Sequence, residues 1–153
     1  MDDKTASLFN HTLFCTDFSE NADLAFHYAA QIATSTPEST LTILHVIPEP
    51  DAQFWQSYLH EVEDVDNKAL EAIQRAIDER YVSKLPAEQI INIAILNGRD
   101  YVKILEFSKE NRVDLIVIGR QGKSEIATIL FGNVTEKITR HADCNVLVVP
   151  RSS

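Results

Sequence analysis

The sequence predicts an α/β protein, a three-layer doubly wound fold in which helices cover both faces of a five-stranded parallel sheet. Two observations carry this prediction. Five short apolar runs alternate strictly with segments of helical spacing, the signature of crossover units and parallel strands. The runs are also continuously apolar, as in Leu115-Ile116-Val117-Ile118 and Val146-Leu147-Val148-Val149, which is the pattern of strands buried on both faces. The chain of 153 residues has the length of one domain able to bury a core. No repeat, linker or low-complexity block divides it, so residues 1–153 read as a single domain.

The elements follow in order. The first strand is expected over Thr12 to Thr16. Ser19, a good N-cap, then opens a helix with Ala22, Ala25, Phe26, Ala29 and Ala33 on one face. Leu41 to Ile47 form the second strand, stopped by Pro48 and Pro50. Phe54, Trp55 and Tyr58 begin a long second crossover, where they are expected to pack over a domain edge or a partner subunit. The second helix places Val62, Val65, Ala69, Ala72, Ile73 and Ala76 on one stripe. After a third strand over Ile90 to Leu96, Gly98 fits a turn. The third helix runs from about Asp100 to near Asn111, with Val102, Ile104 and Leu105 apolar. Leu115 to Ile118 form the fourth strand, Asn133 starts a fourth helix with Val134 and Ile138 inward, and Asn145 to Val149 form the fifth strand.

Charge and composition exclude several classes. A net charge of −9 repels a phosphate backbone, so nucleic acid is not an expected partner. No apolar run approaches the roughly 20 residues that span a bilayer, and the acidic start Met1-Asp2-Asp3-Lys4 is not signal-peptide chemistry. No membrane contact is expected. Cys15 and Cys144 lie in apolar runs and read as buried thiols of a reducing compartment, which points to the cytoplasm. His45 in its apolar strand reads as a satisfied core histidine, and His141 as a complement to a helix C-terminus. His11, His27 and His60 show no ligand spacing, so no metal site is expected.

In an open α/β sheet, ligands bind beyond the carboxyl ends of the strands where strand order reverses. Three of the four glycines, Gly119, Gly122 and Gly132, lie in the connection between the fourth strand and the fourth helix. Glycine allows positive φ or close approach of a bulky ligand, and a helix N-terminus offers orphan amides and the positive dipole end. A di- or triphosphate fits between the two glycine turns, while ordinary turn glycines remain the alternative. The stretch is also locally positive: Arg120, Lys123, Lys137 and Arg140 outnumber Glu125 and Glu136. Gly122-Lys123-Ser124 imitates the end of a P-loop, but the glycine required five residues earlier is Val117 in a strand. The G-x-G-x-x-G fingerprint fails as well, because Gly119 and Gly122 are three apart and the next glycine is ten further on.

The spacing Gly119-x-x-Gly122, nine residues, then Gly132 resembles the nucleotide loop of the universal stress protein family. The resemblance covers nearly the whole chain. Thr16-Asp17-Phe18-Ser19-Glu20 is similar to the family's opening motif, Leu44-His45-Val46-Ile47 to its second strand, and His141 to Pro150 to its closing segment. It implies an adenine nucleotide alpha hydrolase-like fold with sheet order 3-2-1-4-5, and a site between strands one and four that binds ATP with Mg²⁺. The implied nucleotide-binding set is Thr16, Asp17, Phe18, Val46, Gly119, Arg120, Gly122, Lys123, Gly132, Asn133 and Val134. In it Asp17 meets the adenosine part and the Val46 backbone meets adenine. Gly119, Gly122 and Lys123 hold the phosphates from one side, and Gly132, Asn133 and Val134 from the other. Asp17 as a cap of the first helix is the alternative.

One position departs from the family pattern. ATP-binding members usually carry Ser or Thr after the last glycine, and here that residue is Asn133, which can donate through its amide or cap the helix. Thr135 offers a hydroxyl in the first turn but is not an evident substitute. No catalytic residue is assigned: apart from Glu125, the 119–134 segment shows no evident Mg²⁺ ligand, and no nucleophile with its base can be assembled. The expectation is a nucleotide-responsive stress or regulatory protein. The rivals are a family member acting only through protein partners, and a slow ATP hydrolase. Val146 to Val149 form an apolar edge without charge or bulge, and with the family's habit this predicts an antiparallel homodimer through the last strand.

Overall fold

The computed structural model describes residues 8–48, 63–120 and 133–151. Its strands are β1 (His11–Cys15), β2 (Thr40–Pro48), β3 (Ile90–Gly98), β4 (Leu115–Gly119) and β5 (Asn145–Val149). Its helices are α1 (Glu20–Thr34), α2 (Glu63–Arg80), α3 (Asp100–Glu110) and α4 (Asn133–His141). The strands form one parallel sheet in the order β3-β2-β1-β4-β5. The expected fold class and strand order are therefore those observed. Phe54, Trp55 and Tyr58 lie outside the described residues. No helix among the described residues is long and apolar enough to cross a membrane.

Alternation along the strands divides the core between two layers. Phe14, Leu41, Ile43, Leu115 and Val117 face α1 and the end of α2, where they meet Ala25, Phe26, Ala29, Ile77 and Tyr81. Leu13, Leu44, Ile116 and Ile118 face α3 and α4, where they meet Ile104 and Ile138. Continuous apolar runs are thus a consequence of burial on both sides. α1 starts where expected: the Ser19 side chain accepts from the Ala22 amide, with Glu20 and Asp23 in the first turn. All five residues of its expected inner face are buried.

α2 differs from expectation. Ala69 and Ala72 are exposed, Ile73 and Ala76 half-buried, while Ile77 and Tyr81 are fully buried. Val62 and the side chain of Val65 lie outside the described residues. Alanines contribute little to burial, and the large Ile77 and Tyr81 orient the end of the helix because burying them removes far more apolar surface from water. Tyr81 packs edge-on against Phe14, with ring centroids 5.1 Å apart, and lies 4.9 Å from Phe26.

Candidate functional site

The order reversal at β1 and β4 leaves a cleft of about 360 Å³ at the carboxyl edge of the sheet, a size that suits a small ligand. β1 and the turn into α1 contribute Cys15, Thr16, Asp17, Ser19 and Ala22 to its wall. β2 contributes Leu44, His45, Val46 and Pro48, and α3 contributes Asp100 and Ile104. Ile118 and Gly119 close it from β4, and Val134 and Thr135 from the first turn of α4.

The turn after β1 is tightly specified. The Thr16 amide donates to the Leu44 carbonyl, extending the pairing with β2 by one residue. The Phe18 amide donates to Thr16 Oγ1 at 2.9 Å and the Ser19 amide to Asp17 Oδ1 at 3.0 Å. Phe18 takes a φ of 63°, a left-handed conformation uncommon for a bulky residue. Asp17 therefore lines the cleft while its carboxylate also braces the start of α1 at the N-cap Ser19. The Phe18 ring does not line the cleft. It lies 4.7 Å from the His45 ring and beneath the Arg80 guanidinium.

The sequence-derived set divides as follows. Thr16, Asp17, Val46, Gly119 and Val134 come together on the cleft. Phe18 and Arg120 are not among its lining residues, and Arg120 joins its neighbours through the backbone: its amide donates to the Val149 carbonyl, and its carbonyl accepts from Asn21 Nδ2. Gly122, Lys123 and Gly132, with the side chain of Asn133, lie outside the described residues. Asn133 is the first residue of α4.

Gly119 has a reason that spacing did not reveal. A Cβ there would stand 2.6 Å from the Asn21 carbonyl oxygen in the first turn of α1. The glycine lets β4 and α1 meet closely, whatever it also admits from the cleft side.

Several lining residues were not read as site residues from the sequence. His45 is not in the core: it is half-buried on the cleft wall, with Nδ1 2.8 Å from the Thr16 carbonyl. A carbonyl only accepts, so Nδ1 carries the hydrogen. Thr135 is fully buried and lines the cleft, yet its Oγ1 has no hydrogen-bond partner among the described residues. A hydroxyl in the first turn of a helix, where backbone amides are orphaned, was the available signal.

The charges around the cleft are partly committed. Asp17 and Asp100 line it. Lys137 sits over the Tyr101 ring and Arg140 pairs with Glu136 at 3.0 Å, so both cations engage neighbours on or beside α4. Burial pushes the Cys15 thiol well above its ordinary range, with Cys144 adding to the shift, and Cys144 is raised by burial and by Asp114 and Asp143. Both thiols are free and half-buried rather than fully buried as expected, Cys15 on the cleft wall. Cys15 ends β1 while Cys144 precedes β5 at the opposite end of the sheet, with β4 between them. No group of three His, Cys, Asp or Glu among the described residues is placed to hold a metal ion.

Comparison with known proteins gives this geometry a context. The model of the universal stress protein family matches residues 8–150. Universal stress protein MJ0577 of Methanocaldococcus jannaschii is 28% identical over 95% of this chain and 98% of its own length. Its solved structure superposes with a TM-score of 0.80, 26% identity, and coverage of 96% and 99% of the two chains. YxiE of Bacillus subtilis is 29% identical over 93% of this chain and 99% of its own. A universal stress protein solved in complex with cAMP has a TM-score of 0.70 and 25% identity, covering 95% of this chain and all of that one. The chain belongs to the universal stress protein family.

Proposed function

We propose that this protein binds an adenine nucleotide, ATP foremost, in the cleft between β1 and β4, and that occupancy rather than turnover is its output. The observation that carries this reading is Thr135: a fully buried hydroxyl without a partner among the described residues, on the cleft, in the first turn of α4. An unpaired buried hydroxyl is costly, and a phosphate oxygen at this helix N-terminus would satisfy it together with the orphan amides. A similar protein solved with cAMP supports the ligand class.

In this reading the Asp17 carboxylate accepts from a ribose hydroxyl and the Val46 backbone faces the base. Val134 and Thr135 meet the phosphates, joined by Gly122, Lys123, Gly132 and Asn133. Mg²⁺ would enter with the phosphates, which supply most of its oxygen ligands. Turnover is not part of the proposal, because the polar groups of the β1 turn already hold the chain itself: Asp17 caps Ser19, and His45 holds Thr16. The proposal includes a cytoplasmic homodimer, paired antiparallel through β5. That strand lies at the sheet edge with Val146, Leu147 and Val148 half-buried, and a monomeric mass by light scattering at micromolar concentration would contradict the pairing.

The test is nucleotide content and thermal shift. Purified protein is denatured and the supernatant resolved by ion exchange, then stripped protein is titrated with Mg-ATP, ADP, AMP and cAMP. Thr135→Val, which keeps the shape and removes the hydroxyl, is expected to weaken ATP binding by roughly tenfold, as for a lost hydrogen bond to a charged group. Absence of bound adenine nucleotide with no shift for any of the four ligands refutes the reading and favours action through protein partners alone. Steady phosphate release abolished by Gly122→Val identifies a hydrolase instead.

A further inference from the structure

Behind the β1 turn, on the side away from the cleft, lies a directed chain of hydrogen bonds. Tyr81, at the end of α2, is 1% exposed. Its hydroxyl lies 2.7 Å from Asp23 Oδ1 and 2.6 Å from Thr16 Oγ1. A carboxylate accepts only, so the single phenol hydrogen goes to Asp23, and Thr16 must donate to Tyr81. Thr16 Oγ1 in turn accepts from the Phe18 amide. The chain therefore runs from the Phe18 amide through Thr16 and Tyr81 to Asp23, whose other oxygen is bonded by Arg80. Arg80 also sits over the Phe18 and Tyr81 rings, at 5.6 and 5.9 Å from their centroids. The hydrogen bond to Asp23 raises the Arg80 pKa further above its ordinary value, so the guanidinium favours its charged form there.

Every member of this chain bears on one short segment. Phe18 is left-handed, and it immediately follows Asp17, the carboxylate on the cleft. A left-handed phenylalanine persists only where its surroundings enforce it, and here the enforcing contacts are the Thr16 hydroxyl, the His45 ring and the Arg80 guanidinium. We infer that Tyr81 is a positioning residue of the cleft: through Thr16 it holds the Asp17–Phe18 turn in the conformation that presents the Asp17 carboxylate to a nucleoside hydroxyl. The inference rests on the proposed nucleotide site and adds to it a residue from the long second crossover, remote in sequence from the glycine loop.

Tyr81→Phe removes one oxygen and keeps the ring packed on Phe14 and Phe26. Dissociation constants for AMP and for 2′,3′-dideoxy-AMP are measured by calorimetry on the wild type, Tyr81→Phe, Asp17→Ala and the double variant. The wild type is expected to prefer AMP. Tyr81→Phe is expected to weaken AMP on the order of fivefold to tenfold, the scale of one hydrogen bond, and to leave the dideoxy ligand unchanged. The double variant is expected to match Asp17→Ala, because both changes disable one contact. Asp23→Ala, which severs the far end of the chain, is expected to shift the preference in the same direction and serves if Tyr81→Phe does not fold. An equal loss for both ligands, or losses that add in the double variant, overturns the role of Tyr81 while leaving the nucleotide site standing. A wild type that binds neither ligand overturns the site and the inference together.

Discussion

Replacing Gly119 with alanine separates two reasons for a glycine at the edge of the cleft. The added Cβ would lie 2.6 Å from the Asn21 oxygen, 2.8 Å from the Asn21 carbonyl carbon and 3.2 Å from the Ala22 nitrogen. Comfortable carbon contacts begin near ~3.5 Å, and every one of these neighbours is backbone of the first turn of α1. That turn is pinned by the Ser19 cap and by the bond from Asn21 Nδ2 to the Arg120 carbonyl at 2.9 Å. Strand and helix must separate, and the Asn21 bond stretches as they do. Overpacking of this kind costs about 1–3 kcal/mol, and the strained hydrogen bond adds about 1 kcal/mol. In a chain of this size each kcal/mol shifts the midpoint by ~2–4 °C, so the Tm should fall by roughly 5–15 °C. The assay is thermal and urea unfolding of nucleotide-free protein. A nucleotide-free Gly119→Ala protein within ~0.5 kcal/mol of wild type, the range of a neutral surface change, would refute the steric reasoning and leave ligand approach as the sole reason for the glycine.

Three further outcomes follow from local geometry. Ser19→Ala, which removes the acceptor for the Ala22 amide, should lower stability by about 1 kcal/mol in urea. Burial raises the Tyr81 phenol above its ordinary 10.0; Thr16 as donor opposes the shift, and Asp23 adds to it. A raised phenol pKa means the fold favours the neutral form, so this contribution is intact below pH ~10 and lost as pH rises beyond it. Wild-type stability should therefore fall more steeply than that of Tyr81→Phe between pH 9 and 11, and parallel curves would contradict the assignment. With both cysteine pKa values raised by burial, neither thiol should alkylate rapidly with iodoacetamide at pH 8 in the native protein, while both should react in urea. Fast native labelling read by mass spectrometry would show that burial does not protect them.

The layering of this protein was legible in its residue order, because strands buried on both faces and one-faced helices leave periodic traces. Ala22, Ala25, Phe26, Ala29 and Ala33 form the α1 face as their spacing required, and the ends of β1 and β4 flank the cleft as the family resemblance, rather than the alternation of elements, implied. The face of α2 was legible only in part: Ile73 packs against the core as expected, but Ala69 and Ala72 are exposed, since alanines carry too little burial energy to orient a helix against Ile77 and Tyr81. The reason for Gly119, a contact with Asn21 across 98 positions of sequence, was not legible, nor was the buried hydroxyl of Thr135, which has no partner among the described residues. The sequence alone thus determined fold class, strand positions and the carboxyl edge of the sheet where the cleft opens, because these follow from local periodicity and chain direction. Only the tertiary structure decided which side chains turn into that edge and which turn away to brace it. Phe18 and Thr16 are two residues apart, yet the Thr16 hydroxyl is engaged by Tyr81, and the packing of distant segments that makes this contact leaves no trace in spacing.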